Sequence, residues 1–260
     1  MRSPAPAAFT ARPLEPLFAP RSDDDQSTHL HRQFIGGLGL ALPMLLWVIA
    51  GLRPTAGLEP WRILRSVSAY YYTGAVAAFV GVLIALAAFL FTYRGYDNKD
   101  RRRDRVAAII AGVAAVVVAF FPTAAPRGLP EPSWWTLTIG IIHYVAAVVL
   151  FGSFIFFSLF LFTKSNLKPG QRVPWDKRAR NGIYLLCGVA MVGCVLWALG
   201  AWLMDGPIFW PEALALEFFA VSWLAKGRAD RTAINAGRRT LHYARHPGEL
   251  VHRARNTIRR

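Results

Sequence analysis

The stretch Leu137–Phe162 reads LTIGIIHYVAAVVLFGSFIFFSLFLF. It runs for 26 residues with no Asp, Glu, Lys or Arg. A helix crossing about 30 Å of hydrocarbon needs about 20 residues. A core helix of a soluble protein would carry polar residues along one face; here apolar residues occupy every face. Five further runs share this character: Phe34–Leu52, Tyr72–Tyr93, Val106–Thr123, Ile183–Met204 and Ile208–Leu224. None of the six contains Lys or Arg. The alternating ten-residue segments of a membrane barrel are absent. In lipid each spanning segment must satisfy its own backbone, so the expected fold is all-α, a bundle of six transmembrane helices.

Composition agrees. Hydrophobic residues make up 54% of the 260, and charged residues only 17%. That is well short of the roughly 25% charged residues of a soluble domain. Lys and Arg number 30 against 15 Asp and Glu, a net charge of +15. With six spans, 26 of the 30 basic residues fall on one side, and only Arg53, Arg62, Arg65 and Arg127 fall on the other. The basic side is the cytoplasmic one, so both termini are expected in the cytoplasm. Basic residues placed in this way beside the ends of spans point to membrane lipids, with anionic head groups at the cytoplasmic face, and not to nucleic acid.

The chain divides into a disordered cytoplasmic segment 1–33, a transmembrane domain 34–227 and a basic cytoplasmic tail 228–260. The first segment has no apolar core of a cleavable signal peptide, so the first span is the expected insertion signal. Leu58–Ser68 mixes Trp61, Ile63 and Leu64 with Arg62 and Arg65, the pattern of a short interfacial helix. Gly248–Arg260 has the pattern of a basic interfacial helix. Met204-Asp205-Gly206-Pro207 is a tight turn. Cys187 and Cys194 lie about two helical turns apart, too far to bridge.

Ionisable groups inside a bilayer are costly, and so they are the first functional candidates. Three occur: His143 in span four, Glu212 near the outer start of span six and Glu217 near its middle. Each also has a plain structural reading. His143 suits a hydrogen-bonded helix interface, Glu212 follows Pro211 at a helix start where a carboxylate favours the dipole, and Glu217 suits a neutral buried acid. Ser68, Tyr71, Tyr72 and Thr123 supply hydroxyls at the same outer depth as His143 and Glu212. These six residues are the candidate ligand-binding set. The leading expectation is a non-catalytic protein that binds a lipid or small molecule in an outward-facing polar cavity. One alternative is a membrane hydrolase built from Ser68, His143 and Glu212 as nucleophile, base and orienting acid. Another is a proton-coupled carrier using Glu217. Within the spans there is one histidine and no His-x3-His pair, so no metal site and no cofactor are expected.

Six motifs, Ser66-Val-Ser-Ala-Tyr-Tyr-Tyr-Thr73, Tyr93-Arg-Gly-Tyr-Asp97, Phe121-Pro-Thr123, Phe162-Thr-Lys164, Trp210-Pro-Glu212 and Ser222-Trp-Leu-Ala-Lys-Gly227, occur in order along the chain. Together they resemble the landmarks of a family of uncharacterised bacterial multi-pass membrane proteins, over about Phe34 to Gly227. The resemblance implies a bacterial cytoplasmic (inner) membrane location and carries no activity with it. A remote likeness to the seven-helix ceramidase and adiponectin-receptor-like hydrolases rests on a serine near the second span. The chain has neither their metal-binding histidines nor a seventh span.

The sorting of basic residues sets the first test. Reporter fusions after Arg105 and after Arg180 are expected to read as cytoplasmic, and a fusion after Arg127 as external. An external signal from either of the first two sinks the six-span arrangement.

Overall fold

The computed structural model describes residues 23–93, 101–164 and 174–228, with side chains from Thr28 onward. The Tyr93–Asp97 motif beyond Tyr93, the first 22 residues and the tail with its expected helix Gly248–Arg260 lie outside the described residues. Six α-helices follow in order: α1 Asp23–Leu52, α2 Val76–Thr92, α3 Arg101–Phe120, α4 Leu137–Phe156, α5 Trp175–Leu203 and α6 Phe209–Lys226. A 3-10 turn, Ser68–Tyr72, precedes α2, and a π segment, Phe157–Leu161, continues α4. The described residues contain no strand.

Each helix packs on its neighbours in sequence, and α6 closes the ring onto α1. The middle is filled with aromatic side chains. Phe154 of α4 stacks on Phe219 of α6 with centroids 3.7 Å apart, and Trp223 is fully buried. Outward, Val145 and Val148 of α4 and Leu185, Leu186, Val189 and Leu196 of α5 are exposed. A soluble monomer rarely shows so extended an apolar surface. Thr28–Leu52, Leu137–Leu161 and Trp175–Leu203 are long and apolar enough to cross a bilayer, and Val76–Thr92 is a shorter apolar helix. The chain is therefore a membrane protein. The other two helices carry charge: Arg101–Arg105 opens α3, and Glu212, Glu217 and Lys226 lie along α6.

Two expectations are corrected. The second run does not start as helix at Tyr72. Thr73 is extended, its Oγ1 donates to the Tyr70 carbonyl at 2.7 Å and accepts from Ala75 N–H at 3.1 Å, and Ser66 Oγ accepts from Ala69 N–H at 3.0 Å. Hydroxyls that bond local backbone in this way compete with the helix ladder. Second, Leu58–Ser68 is not an interfacial helix. Pro60 interrupts it, and Trp61, at φ 63°, folds back onto α1, where Trp47 Nε1 donates to its carbonyl at 2.9 Å. Gly51 permits this approach, since a Cβ there would come within 2.3 Å of the Trp61 ring. Helix α1 itself starts at Asp23, and Gln33 Nε2 donates to the Gly227 carbonyl at 2.8 Å, so the first part of α1 docks on the end of α6.

The α1–α6 contact depends on a small residue at position 36. A Cβ on Gly36 would lie 2.8 Å from Leu224 Cγ and 2.9 Å from the Ala220 carbonyl oxygen, whereas one on Gly37 would meet nothing within 4 Å. Overpacking a tight contact costs about 1–3 kcal/mol. Gly36→Leu is expected to lower the melting temperature in detergent clearly, and Gly37→Leu to leave it nearly unchanged. Equal effects would show that the interface is not packed at Gly36.

Candidate functional site

Helix α3 ends at Phe120, just before Pro122, whose ring disfavours helical geometry in the residue preceding it. The carbonyls that follow it have no intrahelical partners and need donors from elsewhere. Three side chains supply them in succession. His143 Nδ1 donates to the Phe121 carbonyl at 2.6 Å, Trp135 Nε1 to that of Pro122 at 3.1 Å and the Tyr72 hydroxyl to that of Thr123 at 2.5 Å. A carbonyl can only accept, so Nδ1 of His143 carries a proton. In the neutral ring Nε2 is then an acceptor. The Ser68 hydroxyl donates to it at 2.9 Å. Both residues are buried, Ser68 at 8% exposure and His143 at 1%.

Glu212 reaches the same segment from α6. Its Oε2 accepts the Val67 N–H at 2.7 Å, and Ile208 N–H donates to the Arg65 carbonyl at 2.6 Å. The 3-10 turn is thus tucked into this end of the ring with Ser68, Ala69 and Tyr70 buried, and adjacent residues of one strand of chain are held by α4 and α6. Four of the six candidate residues meet here: Ser68, His143 and Glu212 around the turn, and Tyr72 beside it. Thr123 takes part through its carbonyl rather than its hydroxyl. Tyr71 makes ring contacts with Tyr72 and Phe79 and no hydrogen bond into the network. The expected triad is not assembled as a relay, because the Phe121 carbonyl, not Glu212, orients His143. Glu217, half-buried on α6, makes no side-chain hydrogen bond or ion pair among the described residues. No group of three or more His, Cys, Asp and Glu is placed to hold a metal ion among the described residues. Cys187 and Cys194 are free and buried.

A clamp covers this end. In the α5–α6 turn, Asp205 Oδ1 accepts from Arg65 at 2.7 Å and Oδ2 from Arg127 at 2.8 Å. Arg65 also donates to the Asp205 and Gly206 carbonyls. Three connections are joined through one carboxylate.

The opposite, basic end holds residues that sequence reasoning treated only as surface charge. Lys226 is 5% exposed, and Arg32 is 1% exposed. Lys226 Nζ donates to the Phe162 carbonyl at 3.2 Å and sits 4.9 Å above the Phe162 ring. Lys177 Nζ donates to the same carbonyl at 3.0 Å and to that of Lys164 at 2.9 Å. The guanidinium of Arg32 lies over the Tyr93 ring at 5.8 Å, and Asp104 is buried nearby in the fold of the same end. Two lysines therefore cap the carbonyls left where the π segment ends, and the Ser158 and Ser222 hydroxyls hydrogen-bond at 2.8 Å across the same region. The available signal was Asp104, a lone acid inside Arg101–Arg105, and Lys226, two residues beyond an apolar run.

Residues 79–226 match the family described as Protein of unknown function (DUF998). The chain belongs to that family. The matched region takes in α3 to α6 whole and all but the start of α2, with His143 and Glu212, and leaves the 3-10 turn with Ser68 before it. No curated protein and no solved structure gives a significant match.

The clamp predicts a pH response. Hydrogen bonding from Arg65, together with the positive charges of Arg65 and Arg127, holds the Asp205 carboxyl below the usual carboxylate range. A depressed folded-state value means the contribution is fully present above the unfolded value near 3.9 and is lost as pH falls through the folded one. Melting curves of the wild type and Asp205→Asn in detergent should differ at pH 7 and converge towards pH 3. A gap that persists at low pH would show that the charge of Asp205 is not what stabilises this end.

Proposed function

We propose that this is a non-catalytic, six-span protein of the bacterial inner membrane, with both termini cytoplasmic, that binds a lipid or small molecule at the outward-facing end of its ring. The ring order and the sorting of basic residues support the spans and the orientation. In this reading the Arg101–Arg105 start of α3 lies among head groups, and Glu212 lies near the opposite surface. The observation that carries the binding role is the convergence of Ser68, His143 and Glu212, from three separated parts of the chain, on one short buried turn. Glu212 spends one carboxylate oxygen on Val67 N–H, and Oε1 makes no hydrogen bond among the described residues. A ligand with a hydroxyl or amine donor fits that oxygen.

The Ser68 to His143 hydrogen bond also favours a second reading, a hydrolase with a serine–histidine pair oriented by a carbonyl. Two measurements separate the readings. Solvent extracts of purified wild type, Ser68→Ala and Glu212→Gln are compared by mass spectrometry, and wild type is incubated with a fluorophosphonate probe. The binding reading expects a compound near one per chain in the wild type that falls at least tenfold in Glu212→Gln, with no labelling of Ser68. Identical extracts from all three proteins would overturn it, and stoichiometric labelling at Ser68 would replace it with the hydrolase.

A further inference from the structure

The flank of α3 that faces α4 carries a groove remote from the turn at the other end. It encloses about 480 Å³. Val106, Ala107 and Ile110 of α3 form one wall, and Val149, Gly152 and Phe156 of α4 the other. The spacing on each helix is that of a single face, three to four residues per step. From Arg102 to Ile110 the groove runs about 12 Å at 1.5 Å per residue. Ser153 also borders it, but its hydroxyl donates to the Val149 carbonyl at 2.7 Å, so its hydrogen is spent within α4. A Cβ on Gly152 would meet nothing within 4 Å, so the floor is open. At one end of this apolar channel stand Arg102 and Arg103, both exposed.

An apolar trough closed at one end by two guanidinium groups has the complementarity of one kind of molecule. A fatty chain removes the exposed faces of Val106, Ile110, Val149 and Phe156 from competing contacts, and a phosphate pairs with planar arginine donors. A free anion would use only the arginines, and a zwitterionic lipid would add a cation beside them. We propose that the α3–α4 groove binds one anionic glycerophospholipid, its phosphate on Arg102 and Arg103 and an acyl chain along the channel over Gly152. The proposal rests on the reading that α3 and α4 cross the bilayer. It is independent of the site at the turn.

Full-length protein in detergent, titrated with dioleoylphosphatidylglycerol or dioleoylphosphatidylcholine and read by native mass spectrometry, tests it. The wild type is expected to retain phosphatidylglycerol preferentially. A basic group near an anionic membrane surface contributes about 1 kcal/mol, or about fivefold. Arg102→Gln with Arg103→Gln should therefore cut that preference by about 25-fold. Arg101→Gln, which borders a different cavity with Phe91, Thr92 and Arg105, should leave it nearly intact. Gly152→Phe, which fills the channel, should lower retention of both lipids. Glycerol 1-phosphate should not displace the lipid. Equal retention of the two lipids by wild type overturns the proposal. So does an undiminished preference in the double variant, an equal loss in Arg101→Gln, indifference to Gly152→Phe or displacement by glycerol 1-phosphate. A double variant that melts like wild type shows that the loss is one of binding and not of fold. Whether the protein leaves membranes only with detergent tests the spanning reading separately.

Discussion

A backbone carbonyl or amide left unpaired in hydrocarbon costs several kcal/mol, and the structure is organised around that constraint. Six helices satisfy most of the chain internally. The informative places are those where the ladder stops within the bundle. At each of them a side chain from a distant part of the chain supplies the missing partner. His143, Trp135 and Tyr72 serve the three carbonyls after α3. Glu212 serves the amide of Val67 in the 3-10 turn. Lys226 and Lys177 serve the carbonyl of Phe162 after the π segment. The polar residues that make the chain look functional are the ones that make its non-helical turns tolerable.

This dual use bears on function. A histidine that holds a carbonyl with one nitrogen has its tautomer set by structure, and its other nitrogen is thereby fixed as an acceptor facing Ser68. A glutamate that spends one oxygen on an amide keeps the other. Structural duty does not use up such a group: it fixes the position of the atom left over. Burial limits what can be done with it. Ser68 and His143 are packed away, and Glu212 turns one carboxylate oxygen inward to the Val67 amide.

The two ends of the ring use charge differently. At the end with the turn, an exposed acid gathers two arginines and pins three connections to one point. At the basic end, cations go inside: Lys226 lies over aromatic faces with its ammonium on a carbonyl, and Arg32 is buried against Tyr93. Aromatic rings and carbonyls supply the negative potential that water would otherwise provide. Other basic residues at this end, Arg102 and Arg103 among them, stay exposed beside apolar grooves. Sequence position alone does not distinguish the two groups, because a lysine one turn inside and one turn outside a helix end read the same.

The amino-acid sequence by itself determined the helices. Long apolar runs free of Lys and Arg admit one kind of backbone in a membrane, and hydropathy depends only on neighbours along the chain. The same local logic located the α5–α6 turn at Met204–Pro207 and singled out His143 and Glu212 as residues too costly to be incidental. What only the tertiary structure decided is which groups meet. Ser68 and His143 are 75 positions apart, and Val67 and Glu212 are 145 apart. Their pairing follows from ring order and helix rotation, which depend on close contacts such as Gly36 against α6. It was also tertiary packing that pulled Trp61 back onto α1 and turned Lys226 inward. In each case long-range contacts outweigh local preference by amounts that no window of sequence contains.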